Sequence, residues 1–355
     1  MNNLKKINQI LLFILIVFVM LSFGASFLIP FIFGIFFASL MTPFSNILEK
    51  IKINRIFSSL ISTVVIFIVV GGILYIFIYQ MTLFMSDISD VRNEIQAFIQ
   101  DIQDQIRSLT NLSLEEQKNI WKNRSDNILI AAESALTSFL GNILNTTAGF
   151  LLVLVYVFLL LYYRDKFTET ILRFANNEKK DETEDVLNKT GKVVYHYLWG
   201  RAKVMSILAI MYYITFLIFD IPYAGLLTIS GALVTIIPYL GPFISGVLPV
   251  LFSIIYLQNL QIILLFTLII FIEQMIESYV LEPLIIGSEV KINPLIVIVA
   301  ITLGGMIWGL AGMILFVPLF AIIKIISMHT RGLEPLGYFF APSKQSVSDE
   351  LDNDL

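Results

Sequence analysis

The longest stretch without a charged residue constrains the fold most. Residues 221–272 contain no Asp, Glu, Lys or Arg, and Pro-Tyr-Leu-Gly-Pro at 238–242 interrupts them. A helix that spans the hydrocarbon core needs about 20 residues, so this run can cross a bilayer and return. Proline lacks a backbone N–H and glycine adopts uncommon dihedrals, so Pro238, Gly241 and Pro242 predict a break at membrane depth. Such a break is typical of transport sites, although a purely architectural proline kink also explains it.

The composition is that of a polytopic membrane protein. Hydrophobic residues make up 57% of the 355 positions and charged residues 14%, whereas roughly a quarter of residues are charged in soluble proteins. There is no cysteine, and His196 and His329 have no partner at metal-ligand spacing. The basic residues form no patch of the kind that binds nucleic acid. Because no nucleotide-binding loop or Ser-His-Asp set occurs, the sequence predicts a protein that is not an enzyme and holds neither cofactor nor metal.

Charge divides the chain into six segments, which together predict an all-α polytopic membrane protein with about eight membrane segments. The first apolar run, 7–48, fits two helices joined by a turn near residues 22–26, and a third helix fits 56–80. In order, the segments are 1–86 with three transmembrane helices, 87–137 outside the membrane, 138–163 with a fourth helix, 164–203 as a polar cytoplasmic segment, 204–327 as the transmembrane core and 328–355 as a polar cytoplasmic tail.

The segment 87–137 is predicted to lie on the extracytoplasmic side. Nine acidic and five basic residues fall between positions 87 and 133. Apolar residues recur there every three or four positions, from Ile88 to Leu109, which is typical of an amphipathic helix. Two interpretations remain open, namely helices that cap the membrane domain and an element for oligomerisation or gating.

The positions of lysine and arginine predict the orientation. With the N-terminus inside, 18 of the 23 basic residues face the cytoplasm and five lie in the outer segment, which agrees with the positive-inside rule. Both termini are then cytoplasmic.

This orientation turns the two broken runs into hairpins that enter the membrane from opposite faces. Residues 221–257 begin and end outside, whereas 292–323 begin and end inside. Halves of about 15 residues reach about 22 Å, short of a roughly 30 Å core, which favours re-entrant hairpins. Opposed broken hairpins frame substrate sites in secondary transporters, although close helix packing explains the glycines equally well. The second run contains four glycines that fit its tip: Gly304, Gly305, Gly309 and Gly312.

Glu273, Gln274 and Glu277 are the main candidates for binding a solute or an ion. The two glutamates lie four residues apart on one face of an otherwise apolar helix predicted at 261–281. An ionisable group at membrane depth is costly and therefore points to function. Two neighbouring carboxyl groups suit proton or cation coupling. Alternatively, the helix reaches the headgroup region early, which would leave Glu277 and Glu282 solvated.

Two features near the cytoplasmic boundary have ordinary interpretations. Arg201 and Lys203 are predicted to be snorkelling anchors, whose charged ends reach the interface. Glu282 and Pro283 are predicted to end the helix that carries the two glutamates, because proline cannot donate to the helical ladder.

Two motifs resemble the AI-2E (autoinducer-2 exporter) family of membrane proteins. The first begins with Ile-Pro-Tyr-Leu-Gly-Pro and occupies 237–249. The second combines 282–287, 293–294 and the glycine-rich stretch 304–318. Chain length, the polar insert and the basic cytoplasmic segment agree with this family, so the resemblance covers nearly the whole chain. Asn293 stands where the family often has histidine, which argues against a proton role at that position.

The resemblance implies a multi-pass transporter of the bacterial inner membrane, in contact with the lipid bilayer and forming a homo-oligomer. Family members are linked to autoinducer-2 export, and others to sodium/proton antiport. The first hypothesis is export of a small polar molecule from a site between the two hairpins, driven by an ion gradient or the membrane potential. The alternatives are a cation/proton antiporter that uses Glu273 and Glu277, and a non-transporting membrane scaffold.

Overall fold

The computed structural model describes residues 2–89, 147–175, 179–257, 259–286 and 292–342, with a few isolated positions between 93 and 141. These residues are helical almost throughout, and no strand occurs among them. The helices are α1 Asn2–Phe23, α2 Ala25–Lys50, α3 Arg55–Ser86, α4 Thr147–Phe174, α5 Lys180–Ile218, α6 Ala224–Val234, α7 Leu240–Tyr256, α8 Leu260–Ile276 with a π-helix Glu277–Ile286 directly after it, α9 Pro294–Met328 and α10 Glu334–Phe340. The predicted insert at 87–137 lies almost wholly outside the described residues.

The all-α polytopic membrane fold is confirmed. A membrane-spanning segment must satisfy its backbone hydrogen bonds internally, which a helix does. The helices α6 and α7 are also apolar but shorter. Five helical stretches are long and apolar enough to cross a bilayer: Ala25–Lys50, Arg55–Ser86, Lys180–Ile218, Leu260–Ile286 and Pro294–Met328.

The first apolar run breaks at Gly24, between α1 and α2. The Gly24 N–H donates to the Met20 carbonyl (2.8 Å), and the Leu28 N–H donates to the Gly24 carbonyl (2.8 Å). Helical hydrogen bonds therefore continue on both sides of a one-residue break. The break lies within the predicted window of residues 22–26.

Polar contacts tie α2, α3 and α4 together at the ends that carry their basic residues. Arg164 of α4 donates to Glu49 of α2 (2.6 Å). The Arg55 guanidinium donates to the exposed Asp165 carboxylate, and this hydrogen bond holds the pKa of Asp165 below its usual value. The Asp165 pair is therefore charged at neutral pH, and its contribution is lost only as the pH falls through the lowered pKa of Asp165. Because Asp165 is exposed, that contribution is small.

The helix α5 is the centre of the molecule. Its side chains at spacings of four, Val204, Leu208, Tyr212 and Phe216, are all fully buried, as expected for one face of a helix packed against neighbours. The helix packs against α2, α6, α8, α9 and the π-helix. At 39 residues it is about 58 Å long, so it extends well beyond the hydrocarbon core.

The first hairpin consists of α6, a tip at residues 235–239 and α7. A Cβ atom at Gly241 would meet the Val234 carbonyl and the Thr235 backbone, so the two arms touch where the chain turns. Tyr239 takes a positive φ of 64° at this turn. With 11 and 17 residues, the arms are about 16 and 25 Å long, shorter than the roughly 30 Å hydrocarbon core.

The second hairpin is formed by α9, which doubles back at Gly309. This glycine has φ 59° and ψ −138°, dihedrals that only glycine adopts readily. A Cβ atom at Gly304 would fall on the Gly312 carbonyl, so these two backbones touch. In a continuous helix, residues eight apart are about 12 Å apart. The two arms of α9 are therefore packed side by side.

The helix with the two glutamates does not end at Glu282 and Pro283, and that prediction was wrong. After α8, the chain continues as the π-helix Glu277–Ile286 with Pro283 inside it. In an α-helix the proline ring clashes with the carbonyl four residues earlier. The wider π-helical turn, which bonds to the fifth residue, accommodates the ring.

Candidate functional site

The two glutamates face the protein interior. Glu273 is 6% exposed and Glu277 is 0% exposed. Both lie on the side of α8 and the π-helix that meets α5 and α7. Glu277 is therefore not the solvated headgroup residue of the alternative interpretation, although Glu282, one turn further on, is one-third exposed.

Each glutamate has one oxygen without a hydrogen-bond partner. The Thr215 hydroxyl of α5 donates to Oε1 of Glu273 (2.6 Å), but Oε2 of Glu273 has no partner. Oε1 of Glu277 also has none. A buried polar atom without a partner costs free energy, roughly 1–3 kcal/mol in mutational series. These two oxygens are therefore available to a ligand or a proton.

Gln274 connects the helices around this site. Its amide is oriented so that both of its polar atoms form hydrogen bonds. The oxygen accepts from the hydroxyls of Tyr212 and Ser245, the latter at 3.1 Å. The nitrogen donates to the Pro242 carbonyl (3.1 Å) and to Oε2 of Glu277 (3.2 Å). One amide therefore links α5, the first hairpin and the π-helix. We refer to Tyr212, Thr215, Ser245, Glu273, Gln274 and Glu277 as the polar cluster.

Three members of the polar cluster were missed by the sequence analysis. Tyr212 and Thr215 are adjacent on one face of α5, and Ser245 lies on α7, where its hydroxyl is 3.2 Å from that of Tyr212. Sequence spacing shows that the first two share a face. Nothing in the sequence indicates that this face meets Glu273 and Gln274, because those residues lie about 60 positions away.

Arg201 is not a snorkelling anchor, and that prediction was wrong. Its side chain is 6% exposed, and Nη1 donates to Oε1 of Glu282 (2.5 Å). The same nitrogen lies 3.5 Å from the Thr235 carbonyl at the start of the first hairpin tip. A buried guanidinium requires an acid partner, and in the linear sequence that partner was 81 residues away.

Two sets of contacts flank the polar cluster along α5. On one side along α5, Tyr212 stacks on Phe216 (ring centroids 5.8 Å apart), and Phe216 stacks on Phe266 of α8 (6.1 Å). On the other side lies the Arg201–Glu282 pair. Five of the six members of the polar cluster are buried, and they lie between aromatic rings on one side and an ion pair on the other.

The two hairpins contribute unequally to this site. Pro242 supplies a carbonyl to Gln274, and Gly246 of α7 packs against the Gln274 side chain. Pro238 and Gly241 form the tip and its close contact instead. Among the described residues, the hydrogen bonds of the polar cluster come from α5, α7, α8 and the π-helix alone. The glycines at 304, 305, 309 and 312 shape the second hairpin, so the polar cluster lies beside the first hairpin and not between the two.

The polar cluster presents mainly hydrogen-bond acceptors. Carboxylate, hydroxyl and carbonyl oxygens surround its centre, and they suit a solute with several O–H or N–H donors, a cation or a proton. Two buried carboxylates disfavour an anion at the same position. In the ranges that the structure describes, no group of three or more His, Asp or Glu residues is arranged to hold a metal ion.

Comparison with known proteins gives a family match over most of the chain. A family model described as AI-2E family transporter matches residues 10–332. YrrI of Bacillus subtilis is 25% identical over 85% of this chain and 86% of its own length. YueF of the same organism is 26% identical over 90% and 91%. Both are described as presumed transport proteins. The AI-2 transport protein TqsA of Escherichia coli is 22% identical over 93% of this chain and 94% of its own length.

These similarities indicate the class of function. The relatives' names are those of transport proteins rather than enzymes or scaffolds, and the matches extend over nearly the full length of each relative. The chain is thus a multi-pass membrane transporter. The comparisons do not support the cation/proton antiporter hypothesis.

Proposed function

The chain belongs to the AI-2E transporter family, and from this premise we propose that it exports a small polar molecule through the polar cluster, with autoinducer-2 as the first solute to test. The observation that carries the proposal is the pair of buried carboxyl groups, Glu273 and Glu277, each with one unpartnered oxygen. TqsA, a relative that matches over almost the whole chain, is named an AI-2 transport protein.

The unpartnered oxygens support a binding role because they are buried carboxyl oxygens that lack hydrogen bonds when no solute is bound. A hydroxylated solute that donates to Glu273 and Glu277 supplies those bonds. The free energy gained is comparable to the cost of leaving such groups unpaired. Gln274, Tyr212 and Ser245 complete the set with groups that orient the solute. The site is therefore selective for molecules with donors on more than one side.

The carboxyl groups also support ion-driven transport. The sequence contains no nucleotide-binding loop, so an ion gradient or the membrane potential is the remaining source of energy for uphill export. An ionised glutamate inside the membrane is costly unless solvent or a partner reaches it. Such a residue can therefore take up a proton when it is buried and release it when the site opens. We infer that Glu273 and Glu277 exchange protons for solute during the cycle.

Charge and exposure support the proposed orientation and partners of the chain. The positive-inside rule places the segment 164–203 and both termini in the cytoplasm of a bacterial cell. Large apolar side chains cover the outward faces of α3 and α8, where the lipid bilayer or further copies of the chain would contact them. The homo-oligomer expected from the family resemblance remains a prediction.

Flux of autoinducer-2 in proteoliposomes tests this proposal. We expect the wild-type protein to move the solute faster when a pH gradient is imposed. We expect Glu273→Gln and Glu277→Gln to lower the rate at least about tenfold, because each amide removes the proton site and places a new N–H₂ group in the cluster.

The matched control is Glu169→Gln, which makes the same chemical change at an exposed position paired with Arg173. Its flux should equal that of the wild type. Gel filtration and thermal unfolding verify that every variant is folded. If both cluster variants transport at the wild-type rate, the polar cluster is not the transport site. If the wild-type protein moves no autoinducer-2 under any gradient, that solute is excluded.

A further inference from the structure

The buried pair of Arg201 and Glu282 joins three elements at one point. Nη1 of Arg201 donates to Oε1 of Glu282 on the π-helix (2.5 Å) and lies 3.5 Å from the Thr235 carbonyl of the first hairpin. The guanidinium also lies over the Tyr197 ring, 6.0 Å from its centroid. The central helix, the π-helix and the hairpin tip are thus held together by one side chain.

This contact lies on the side of the polar cluster that carries the basic residues. Arg201 precedes Tyr212 by 11 positions on α5, which is about 16 Å along the helix axis. Glu282 follows Glu277 by five positions on the π-helix. On both elements the ion pair therefore lies on the same side of the polar cluster. This is the side of the basic segment 164–203, to which Arg201 belongs. The positive-inside rule assigns that side to the cytoplasm.

Beyond the ion pair, the hairpin tip completes the closure. Ile237, at the tip, is buried in an apolar cluster with Val194 and Tyr197 of α5. These two residues precede Arg201 on the helix and lie further towards the cytoplasm. A solute that leaves the polar cluster in this direction must therefore displace the tip and separate Arg201 from Glu282.

The pair is incompletely satisfied, as expected for a contact that opens. Nε of Arg201 and the Tyr197 hydroxyl are buried and form no hydrogen bond of good geometry, although the two side chains interact. Glu282 is 33% exposed while Arg201 is 6% exposed, so water already reaches one partner. Glu282 is also carried by a π-helix, a rare conformation that is frequent at functional sites. In a buried ion pair the attraction offsets the cost of desolvation only when the remaining donors are also bonded.

We propose that Arg201 and Glu282 form the cytoplasmic gate of the transport site. In the conformation described here the pair is closed and the polar cluster is occluded. For loading, Glu282 moves away with the π-helix, the hairpin tip is released from Arg201, and the polar cluster opens towards the cytoplasm. Naming the polar cluster as the transport site rests on the proposed function, whereas the closing contact itself does not.

Thiol labelling tests the gate without any transport assay. The chain contains no cysteine, so Ser245→Cys introduces a single thiol into the polar cluster with little change in volume. A membrane-impermeant maleimide is added to the cytoplasmic or the opposite face of sealed vesicles. We expect slow labelling in the otherwise wild-type chain. With Glu282→Gln added, we expect the rate from the cytoplasmic face to rise about tenfold and the rate from the other face to stay unchanged.

The matched control is Glu49→Gln, which weakens a different ion pair, that of Glu49 with Arg164 (2.6 Å), also at the basic end of the helices. It should leave the labelling rate unchanged. Arg201→Lys keeps the charge but loses the planar fork, and it should raise cytoplasmic labelling by a smaller factor. This variant carries the test if Glu282→Gln does not fold.

Two results would overturn the gate. One is unchanged cytoplasmic labelling in a folded Glu282→Gln or Arg201→Lys variant. The other is an equal rise from both faces, which indicates general loosening. Because labelling needs no solute, a chain that fails to move autoinducer-2 but shows the one-sided rise retains the gate and loses only the proposed solute.

Discussion

Replacement of Glu277 by methionine is expected to stabilise the folded protein and to abolish transport. Glu277 is fully buried, and its Oε1 has no hydrogen-bond partner. A buried carboxyl group in that state costs the free energy of its lost hydration. Methionine has a similar volume and no polar oxygen, so the penalty is removed while the packing is largely kept. We expect the free energy of unfolding to rise by about 1–3 kcal/mol.

The opposite signs of the two effects make this prediction specific. A structural carboxyl group would lower stability when removed, whereas a functional one is retained at a cost in stability. Thermal unfolding in detergent measures the first effect, and solute flux in proteoliposomes measures the second. Glu169→Met is the control, because Glu169 is exposed and its replacement should change neither quantity appreciably. A Glu277→Met protein that unfolds at a lower temperature, or that transports normally, contradicts the functional role of this residue.

The second large effect is expected at the closest backbone contact of α9. A Cβ atom at Gly312 would overlap the Gly304 carbonyl. The obstructing atoms are backbone atoms of the facing arm, so no side chain can rotate away to make room. Gly312→Ala should therefore push the arms of the second hairpin apart. We expect the free energy of unfolding to fall by about 3 kcal/mol or more, at the upper end of the range for overpacked cores.

Gly72→Ala is the matched control for this glycine. Gly72 lies inside α3, and a Cβ atom there would have no neighbour within 4 Å. Alanine at such a position raises the free energy of unfolding by up to about 1 kcal/mol, because its helix propensity is higher than that of glycine. The same substitution is thus expected to lower the unfolding temperature at one site and to leave or raise it at the other. Equal unfolding temperatures for the two variants would show that the arms of α9 are not packed as described.

These two predictions separate the roles of the two hairpins. The first hairpin contributes Ser245 and the Pro242 carbonyl to the polar cluster, and its tip contacts Arg201. The second hairpin packs Ala300, Ile301 and Leu315 into the largest apolar cluster of the described residues. Changes in the first hairpin should therefore alter transport before they alter stability, and changes in the second should do the reverse.

Much of the site could be predicted from local spacing and from the cost of polar groups in a bilayer. Glu273 and Glu277 are one helical turn apart, and any helix places them on one face. Their presence in an apolar stretch predicts burial next to other protein groups, because lipid cannot solvate them. The break of the first hairpin was predicted from Pro238, Gly241 and Pro242, because proline lacks a backbone N–H and glycine adopts uncommon dihedrals.

The partners of these groups could not be predicted in the same way. Arg201 and Glu282 are separated by 81 positions, and Thr215 and Glu273 by 58. Each side chain alone is compatible with a solvated position at the membrane boundary, and Arg201 was assigned there. The continuation of the helix through Pro283 was missed for a related reason, because the π-helical turn is not encoded by any single residue.

The sequence by itself determined the helical membrane fold, the positions of both breaks and the helix face that carries the two glutamates. Each of these follows from interactions within a few residues, or from the transfer of a segment into lipid. Only the tertiary structure decided which helices meet. It placed the hydroxyls of α5 and α7 beside Glu273 and Gln274, paired Arg201 with Glu282, and joined the two arms of α9 at Gly304 and Gly312. Such contacts depend on the packing of whole helices, for which residues distant in sequence must fit together in volume and in hydrogen bonding.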